Sequence, residues 1–314
     1  MDFCRSKNRD VREAVRRKAL SLGFDACGFA CAEPVEQWAV EAYDNWIAAG
    51  HNDCMDYATR YRDVRNDPRL LLEGAKTVIS VAINYLPPRQ QPADAPQFAL
   101  YAYGRDYHEV VKKRLFRLAA FIEETAGCIS RPCVDTAPIR ERYWAQRAGI
   151  GFVGRNNTLI IPGRGSFFFL GELVTTLEVE PDEPCRLSCG NCLLCETACP
   201  GGALHGGKAL DARQCLSCQL IERRGELPAW VAGAAGNRVY GCDACQLVCP
   251  HNKNASGTTI PDFSPSEEFL SLTRKDLKEM TPTRFRHLFA HSAVRRTRLD
   301  GLCRNAALQE TSKP

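Results

Sequence analysis

In the first half of the chain, apolar positions recur at helical intervals, broken by two short runs that read as strands. Val11, Ala14, Val15, Ala19 and Leu22 share one face of a helix over 10–23, where Asp10 and Glu13 offer a capping box and Gly23 a stop. "DACGFA" (25–30) follows as a short strand, and a second helix is expected over 34–49. "KTVISVAINYL" (76–86) is the best buried strand of the first half, and "PPRQQPADAPQ" (87–97), rich in Pro and polar residues, is a surface loop. Val110, Val111, Leu115, Leu118 and Phe121 then mark a helix over 108–125. "CVD" (133–135) reads as a strand end, followed by a helix across 139–148 whose start suits Pro138. Strands around 157–161 and 166–179 complete an α+β body.

From Cys185 to about Asn254 the texture changes to Cys, Gly and Pro with few periodic segments, as expected of a module held together by ligands. Residues 264–308, including "RFRHLFAHSAVRRTRLDGLCRNAAL", return to a helical, basic character and are expected to pack back on the body. The fold class is therefore α+β. It divides into a body over 1–180, a ferredoxin-like module over 181–258 and a C-terminal helical segment over 259–314.

Composition changes this picture little: 45% hydrophobic and 25% charged residues are ordinary for a globular chain, and a net charge of +4 permits an acidic partner without demanding one. The longest apolar runs, at 77–86 and 166–174, are too short to span a bilayer. "RRKALSLGF" (16–24) looks faintly like a twin-arginine signal, but Asp25 follows it with no sustained apolar run, so it reads as helix. The expected location is the cytoplasm, with no membrane association.

The 17 cysteines do change the picture. Without a secretory start, CxxC-type spacings point to metal in a reducing compartment rather than to disulfides. One arm is "CGNCLLCETACP", with Cys189, Cys192, Cys195 and Cys199 before Pro200; the other is "GCDACQLVCP", with Cys242, Cys245 and Cys249 before Pro250, and "ARQCLSC" upstream supplies Cys215. CxxC turns let thiolates converge on one cluster, and the cysteine three residues farther on reaches the neighbouring one. This crossing predicts Cys189, Cys192, Cys195 and Cys249 on one [4Fe-4S] cluster, and Cys199, Cys215, Cys242 and Cys245 on the other. Cys185 and Cys218 stand close enough in sequence to compete with Cys215. Zinc is the other reading of CxxC pairs, and the two CxxxCP arms argue against it. Cys27, Cys31, Cys128 and Cys303 read as small buried hydrophobes. "GALHGGKA" (202–209) nearly spells a phosphate-binding loop, but Ala209 replaces the hydroxyl residue and no strand precedes it.

With the non-cysteine motifs added, the chain resembles the cobalamin-dependent epoxyqueuosine reductases of tRNA queuosine synthesis. The resemblance is carried by "YGRDYHEVVKKRL" (103–115), "VDTAPIRERYWAQRAGIGFVGRNNTLI" (134–160), "GSFFFLGEL" (165–173), the first cysteine arm, "LDARQCLS" (210–217), "GNRVYGCDACQLVCPHN" (236–252) and "RLDGLCRNAA" (298–307). It implies a base-off cobalamin between the α+β body and the cluster module. The implied activity is reduction of epoxyqueuosine at the tRNA wobble position to queuosine by cob(I)alamin fed from two [4Fe-4S] clusters. It further implies Asp135 as the proton donor, and Arg65, Leu159, Leu170, Ser217 and Asp243, with Asp135, as cofactor contacts.

Opening an epoxide leaves an alkoxide, so an acid in hydrogen-bond reach is what the chemistry requires. Burial would raise the Asp135 pKa and keep it protonated, whereas local sequence alone reads Asp135 as a cap of the helix near Pro138. "DYHEVV" (106–111) begins like a motif that supplies an axial histidine to corrinoids, but Val111 replaces its final Gly, so His108 is structural or substrate-facing. The chain departs from the family pattern at Cys218, where an aromatic or apolar residue is usual, and at Arg155, where Lys is common. Its sequence ends soon after "RNAALQ", before the helical repeats some members use on tRNA.

The expected partners are a tRNA carrying epoxyqueuosine in its anticodon loop and a low-potential electron donor of ferredoxin or flavodoxin type, with the enzyme working as a monomer. Lys112, Lys113, Arg114 and Arg117 on one helix, and Arg295, Arg296, Arg298 and Arg304 near the end, are the basic residues available for tRNA phosphates, if they are not simply a solvated face. The rival readings are a corrinoid reductive dehalogenase and an iron–sulfur electron carrier or activator without a substrate of its own.

Overall fold

The computed structural model describes residues 2–204 and 209–308, so the "HGGK" of the phosphate-loop-like segment lies outside the described residues. The chain forms two compact units that interleave in sequence. The first comprises residues up to Asn45, Thr59–Asn84 and Tyr107–Gly190; the second comprises Trp46–Ala58, Tyr85–Asp106 and the chain from Asn191 on. This differs from the linear division at residues 180 and 258, because two early loops fold with the cysteine-rich and C-terminal residues.

In chain order the elements begin with α1 (Asp2–Ser21), β1 (Ala26–Cys31), α2 (Gln37–Ala48), α3 (Arg62–Asn66), β2 (Thr77–Asn84) and β3 (Gln97–Phe98). Next come α4 (Tyr107–Ala126), β4 (Ser130–Cys133), α5 (Glu141–Arg147), β5 (Phe152–Val153), β6 (Leu159–Ile160) and β7 (Phe168–Thr175). The remainder is mostly short helices: α6 (Leu194–Thr197), α7 (Leu216–Ile221), α8 (Trp230–Ala235), β8 (Arg238–Tyr240), α9 (Ala244–Leu247), α10 (Glu267–Leu270), α11 (Arg274–Lys278), α12 (Pro282–Leu288) and α13 (Arg298–Ala307). Two helix starts differ from expectation. α1 begins well before Asp10, since no Gly or Pro interrupts residues 2–9, and Asp10 is therefore no cap. α5 begins at Glu141 with Arg140 at its cap position, so neither Pro138 nor Asp135 opens it.

The first unit is built on an antiparallel sheet in the order β1-β2-β7-β4. Its central strands β2 and β7 are buried on both faces: α4 packs on β4 and β7 on one side, and α5 on β1, β2 and β7 on the other. Residue alternation along β7 fixes which side chain meets which helix. A Cβ at Gly171 would touch Val111 and Leu115 of α4, so Leu170 and Glu172 point to the α5 face. α4 buries Val110, Val111, Leu115, Leu118 and Ile122, each stabilising by about 1.5–3 kcal/mol, which anchors the helix carrying His108 near its start. Cys31, expected inside, is exposed at the end of the edge strand β1, and Cys27, Cys128 and Cys303 are only partly buried.

In the second unit β3 pairs in parallel with β8. The C-terminal helix packs here: α13 lies on α7, β8 and α11, and fully buried Asn305 donates to the carbonyls of Leu220 and Val239 at 2.8 and 2.9 Å. Phe98, Phe269 and Phe289 form its aromatic core with Tyr103 and Tyr240.

Candidate functional site

In the first unit, chemistry-bearing side chains gather where β4 ends. β4 pairs with Glu172–Thr175 of β7 and stops at Cys133, leaving Phe168–Gly171 uncovered by that strand. The chain turns away there, and Asp135 takes a left-handed backbone conformation, φ 42°. Its carboxyl oxygen Oδ2 lies 2.9 Å from His108 Nε2, and its N–H donates to Glu141 Oε1 at 2.6 Å. The His108 ring stacks on Tyr107 with centroids 4.2 Å apart, and Tyr107 stacks on Phe169 of β7 at 4.3 Å and 8°. These contacts fix the imidazole from two elements. An adjoining cavity of about 580 Å³ is lined by His108, Lys112, Arg131, Val134, Thr136 and Pro138 among others, a cationic lining suited to an anionic group.

The expected burial of Asp135 is not observed: its side chain is 51% exposed. The buried acids lie behind it instead. Glu172 is 0% exposed on the α5 face of β7, directly opposite Ser80 of β2 in the strand register. Its two carboxyl oxygens and Ser80 Oγ lack a well-formed hydrogen bond among the described residues, and burial, with the charge of Glu141 adding, holds its pKa well above the ordinary 4.5 against the smaller opposing pull of the Ser80 hydroxyl. Glu141 keeps some accessible surface, but the packing around its carboxyl and the negative charge of Asp135 push it up to about 8, against the smaller opposing pull of the Asp135 N–H. Sequence reasoning named neither glutamate. The available signal was Glu172 itself, the one charge inside the apolar run "SFFFLGELV".

The remaining candidates in this unit have other duties. Leu159 and Leu170 are buried, 4% and 9% exposed, in one cluster with Ala82, Ala145, Ile150 and Ile161, so any ligand would meet their backbone rather than their side chains. Arg65, in the last turn of α3, donates from Nε to the Arg60 carbonyl at 3.1 Å. Cys189 lies near the end of this unit, as does Cys185, whose backbone N–H and C=O are both held by Gln146.

In the second unit the cysteines can be sorted by their neighbours. Cys199, Cys215 and Cys242 each act on Cys245, pushing its pKa up with burial, and Cys215 acts likewise on Cys242. Cys199, Cys215 and Cys242, three thiols of one predicted cluster, therefore all lie within electrostatic reach of the fourth, Cys245. The Ala203 N–H points at Cys199 Sγ at 3.2 Å, the backbone-to-sulfur contact an anionic cluster needs. This donor set, all sulfur with a backbone donor, fits an iron–sulfur cluster. Cys218 faces elsewhere: its Sγ lies 3.9 Å from Cys54 Sγ beside Asp53, whose carboxylate is held by Arg223 and Gln219. α6, carrying Cys195, packs on α9, carrying Cys245, while Cys192 and Cys249 are half-buried. Ser217 is half-buried on α7. Asp243, 8% exposed at the cap position of α9, accepts the Leu100 N–H at 2.7 Å, and burial pushes its pKa up to about 6.

The basic candidates also divide. Arg114 donates to the carbonyls of Leu22 and Val110, Arg304 to those of Arg223 and Gly225, and Arg296 pairs with Glu222. Arg114 and Arg304 are half-buried ties, whereas Arg296, Lys112, Lys113, Arg117, Arg295 and Arg298 are exposed, Arg295 also donating to the Ala290 carbonyl at 3.1 Å. Among the described residues no helix is long and apolar enough to cross a membrane.

Comparison with known proteins covers both regions. Residues 65–136 match the family described as epoxyqueuosine reductase QueG, DUF1730, and residues 188–252 match the 4Fe-4S double cluster binding domain. The chain is 38% identical over 294 residues to an epoxyqueuosine reductase of Cellulophaga algicola, covering 93% of this chain and 96% of the relative. It is 39% identical over 302 residues to that of Leadbetterella byssophila, covering 95% and 98%. Among solved structures, an epoxyqueuosine reductase with a tRNA-Tyr epoxyqueuosine-modified stem loop superposes with TM-score 0.88 at 31% identity, covering 96% of this chain and 81% of that one. A Bacillus subtilis epoxyqueuosine reductase, whose catalytic aspartate loop is swung out of the active site, superposes with TM-score 0.87 at 30% identity, again covering 96% and 81%.

Proposed function

The chain belongs to the epoxyqueuosine reductase family, and on that premise we propose that it reduces epoxyqueuosine in a tRNA anticodon loop to queuosine, with Asp135 as the proton donor. Two electrons and two protons remove the epoxide oxygen as water and leave the alkene. Cobalamin and the two [4Fe-4S] clusters, when bound, supply those electrons. The residues fit that requirement. Cys199, Cys215, Cys242 and Cys245 would hold one cluster and Cys189, Cys192, Cys195 and Cys249 the other. Arg65, Leu159, Leu170, Ser217 and Asp243 are the candidates for holding the corrin. The pairing of His108 with Asp135 suits a corrin bound without a histidine ligand.

The observation that carries the reading is the Asp135–His108 pair at 2.9 Å, set on a turn between β4 and α5. Developing charge on the epoxide oxygen is stabilised by the proton shared between His108 Nε2 and Asp135 Oδ2, which passes to the oxygen through Asp135. Exposure on a turn is what a group needs if it is to meet a bulky substrate. Lys112, Lys113 and Arg117 would contact phosphate groups and fix the stem loop, while the modified base leaves its stack to react. A tRNA substrate places the work in the cytoplasm, with a ferredoxin or flavodoxin type donor and the enzyme acting as a monomer.

The test is reconstitution with iron, sulfide and cobalamin, a low-potential reductant, and epoxyqueuosine-containing tRNA, read by nucleoside mass spectrometry. Wild-type protein should produce queuosine, and Asp135→Asn should retain bound cobalamin while losing turnover by about 10²-fold or more. No queuosine from fully loaded wild-type protein would overturn the activity, and undiminished turnover by Asp135→Asn would remove the acid role.

A further inference from the structure

The left-handed conformation of Asp135 is uncommon for a residue with a Cβ, Asp being one of the few types that enter it, and contacts from neighbouring elements can hold it there. Two side chains do so. His108 Nε2, from α4, meets the Asp135 carboxyl at 2.9 Å, and Glu141 Oε1, from the first residue of α5, accepts its backbone N–H at 2.6 Å. The second contact rests on a rigid base. Trp144 and Ala145 of α5 are 2% and 0% exposed, and Arg140, just before the helix, donates to the Ala39 carbonyl and lies over the Tyr43 ring at 4.5 Å. Behind Glu141 stands Glu172, fixed in the central strand β7 and wholly buried. A rigid acceptor thus sits under a strained turn whose only known duty, in the reading above, is to present a carboxyl group.

We propose that Glu141 is a positioning residue for the proton donor: its carboxyl group, held by α5, takes the Asp135 N–H and locks the turn so that the Asp135 side chain faces His108. The inference rests on the reading of Asp135 as the acid. In this role Glu141 acts through the backbone of residue 135. A glutamate is suited to this because its side chain, starting from the first residue of α5, brings a carboxyl oxygen to 2.6 Å from the Asp135 nitrogen. An amide at the same position would still accept, whereas a methyl group would not.

The experiment uses full-length reconstituted protein carrying Glu141→Ala or Glu141→Gln. It measures amide hydrogen exchange over residues 134–138, kcat and KM for the tRNA, and thermal melting. In Glu141→Ala, exchange of the Asp135 amide should quicken by about tenfold or more. Its kcat should fall by up to about 10²-fold with KM little changed. Glu141→Gln should recover most of both. If Glu141→Ala melts well below wild type, Glu141→Asp replaces it, keeping the carboxyl group but withdrawing the acceptor by one methylene, and faster exchange is again expected. Unchanged exchange with unchanged kcat in Glu141→Ala overturns the proposal, as does a Glu141→Gln variant that exchanges as fast as Glu141→Ala. Retained turnover in Asp135→Asn would instead defeat the parent reading, and the exchange data would still decide whether Glu141 locks the turn.

Discussion

Replacing Glu172 by Gln removes a titrating proton from the centre of the first unit while nearly preserving shape. Glu172 is 0% exposed, lies opposite Ser80 and beside Glu141, and has its pKa held well above 4.5 by burial and by that neighbour. The sign follows from proton counting. Between the unfolded value and the raised folded one, the folded chain binds the extra proton, so wild-type stability falls as pH rises through that window. The effect is absent below about pH 4.5 and grows above it by about 1.4 kcal/mol per pH unit for as long as the folded carboxyl stays protonated. The glutamine has no such dependence. Its extra buried N–H donor costs about 1–3 kcal/mol at every pH if it finds no acceptor, so the change with pH, not the absolute value, is the quantity to read. Urea denaturation of wild type and Glu172→Gln at several pH values between 4.5 and 7.5 gives that difference; titrations remote from Glu172 cancel, and any relief of its neighbour Glu141 adds with the same sign. Glu172→Gln should gain on wild type steadily with pH. A difference that is flat over this range would refute the claim that Glu172 is a neutral buried acid.

Three further outcomes are expected. Cys215→Ser should lose about half of the reconstituted iron, whereas Cys218→Ser should keep it, because Cys215 acts on Cys242 and Cys245 while Cys218 faces Cys54; iron analysis of the purified variants decides. Gly28→Ala should lower the melting temperature, since its Cβ would lie 2.0 Å from the Ala148 carbonyl oxygen just after α5, a clash costing about 1–3 kcal/mol. Asn305→Leu should destabilise by about 2–4 kcal/mol in urea, as it strips the donor from the buried carbonyls of Leu220 and Val239.

Much of this protein is local, and the local part was legible in the sequence. The α4 face was read from Val110, Val111, Leu115, Leu118 and Phe121, of which the first four are buried while Phe121 is half-buried and Ile122 lies inside, and β2 from its continuous apolar run. The cysteine spacings identified an iron–sulfur module because ligand convergence within CxxC turns is a property of a few consecutive residues. The motif around Asp135 placed that residue at a strand end, and β4 does end two residues before it. What the sequence missed depends on contacts between distant segments. Asp135 was expected to be buried and is exposed, while Glu141 and Glu172, 31 positions apart, meet behind it because α5 lies on one face of β7. The C-terminal helices were assigned to the body by their texture, yet α13 packs on α7 and β8 through Asn305, whose two carbonyl partners no periodicity predicts. Cys218 and Cys215 differ by three residues and are equivalent by spacing; the position of Cys54, 164 residues away, separates them. Hydrophobic period and ligand spacing determined which elements form and which chemistry the chain can hold. Which acid is dry, which is wet and which thiol turns toward its neighbours was decided only when the sheet brought those segments together, since burial and electrostatic coupling are properties of the packed neighbourhood.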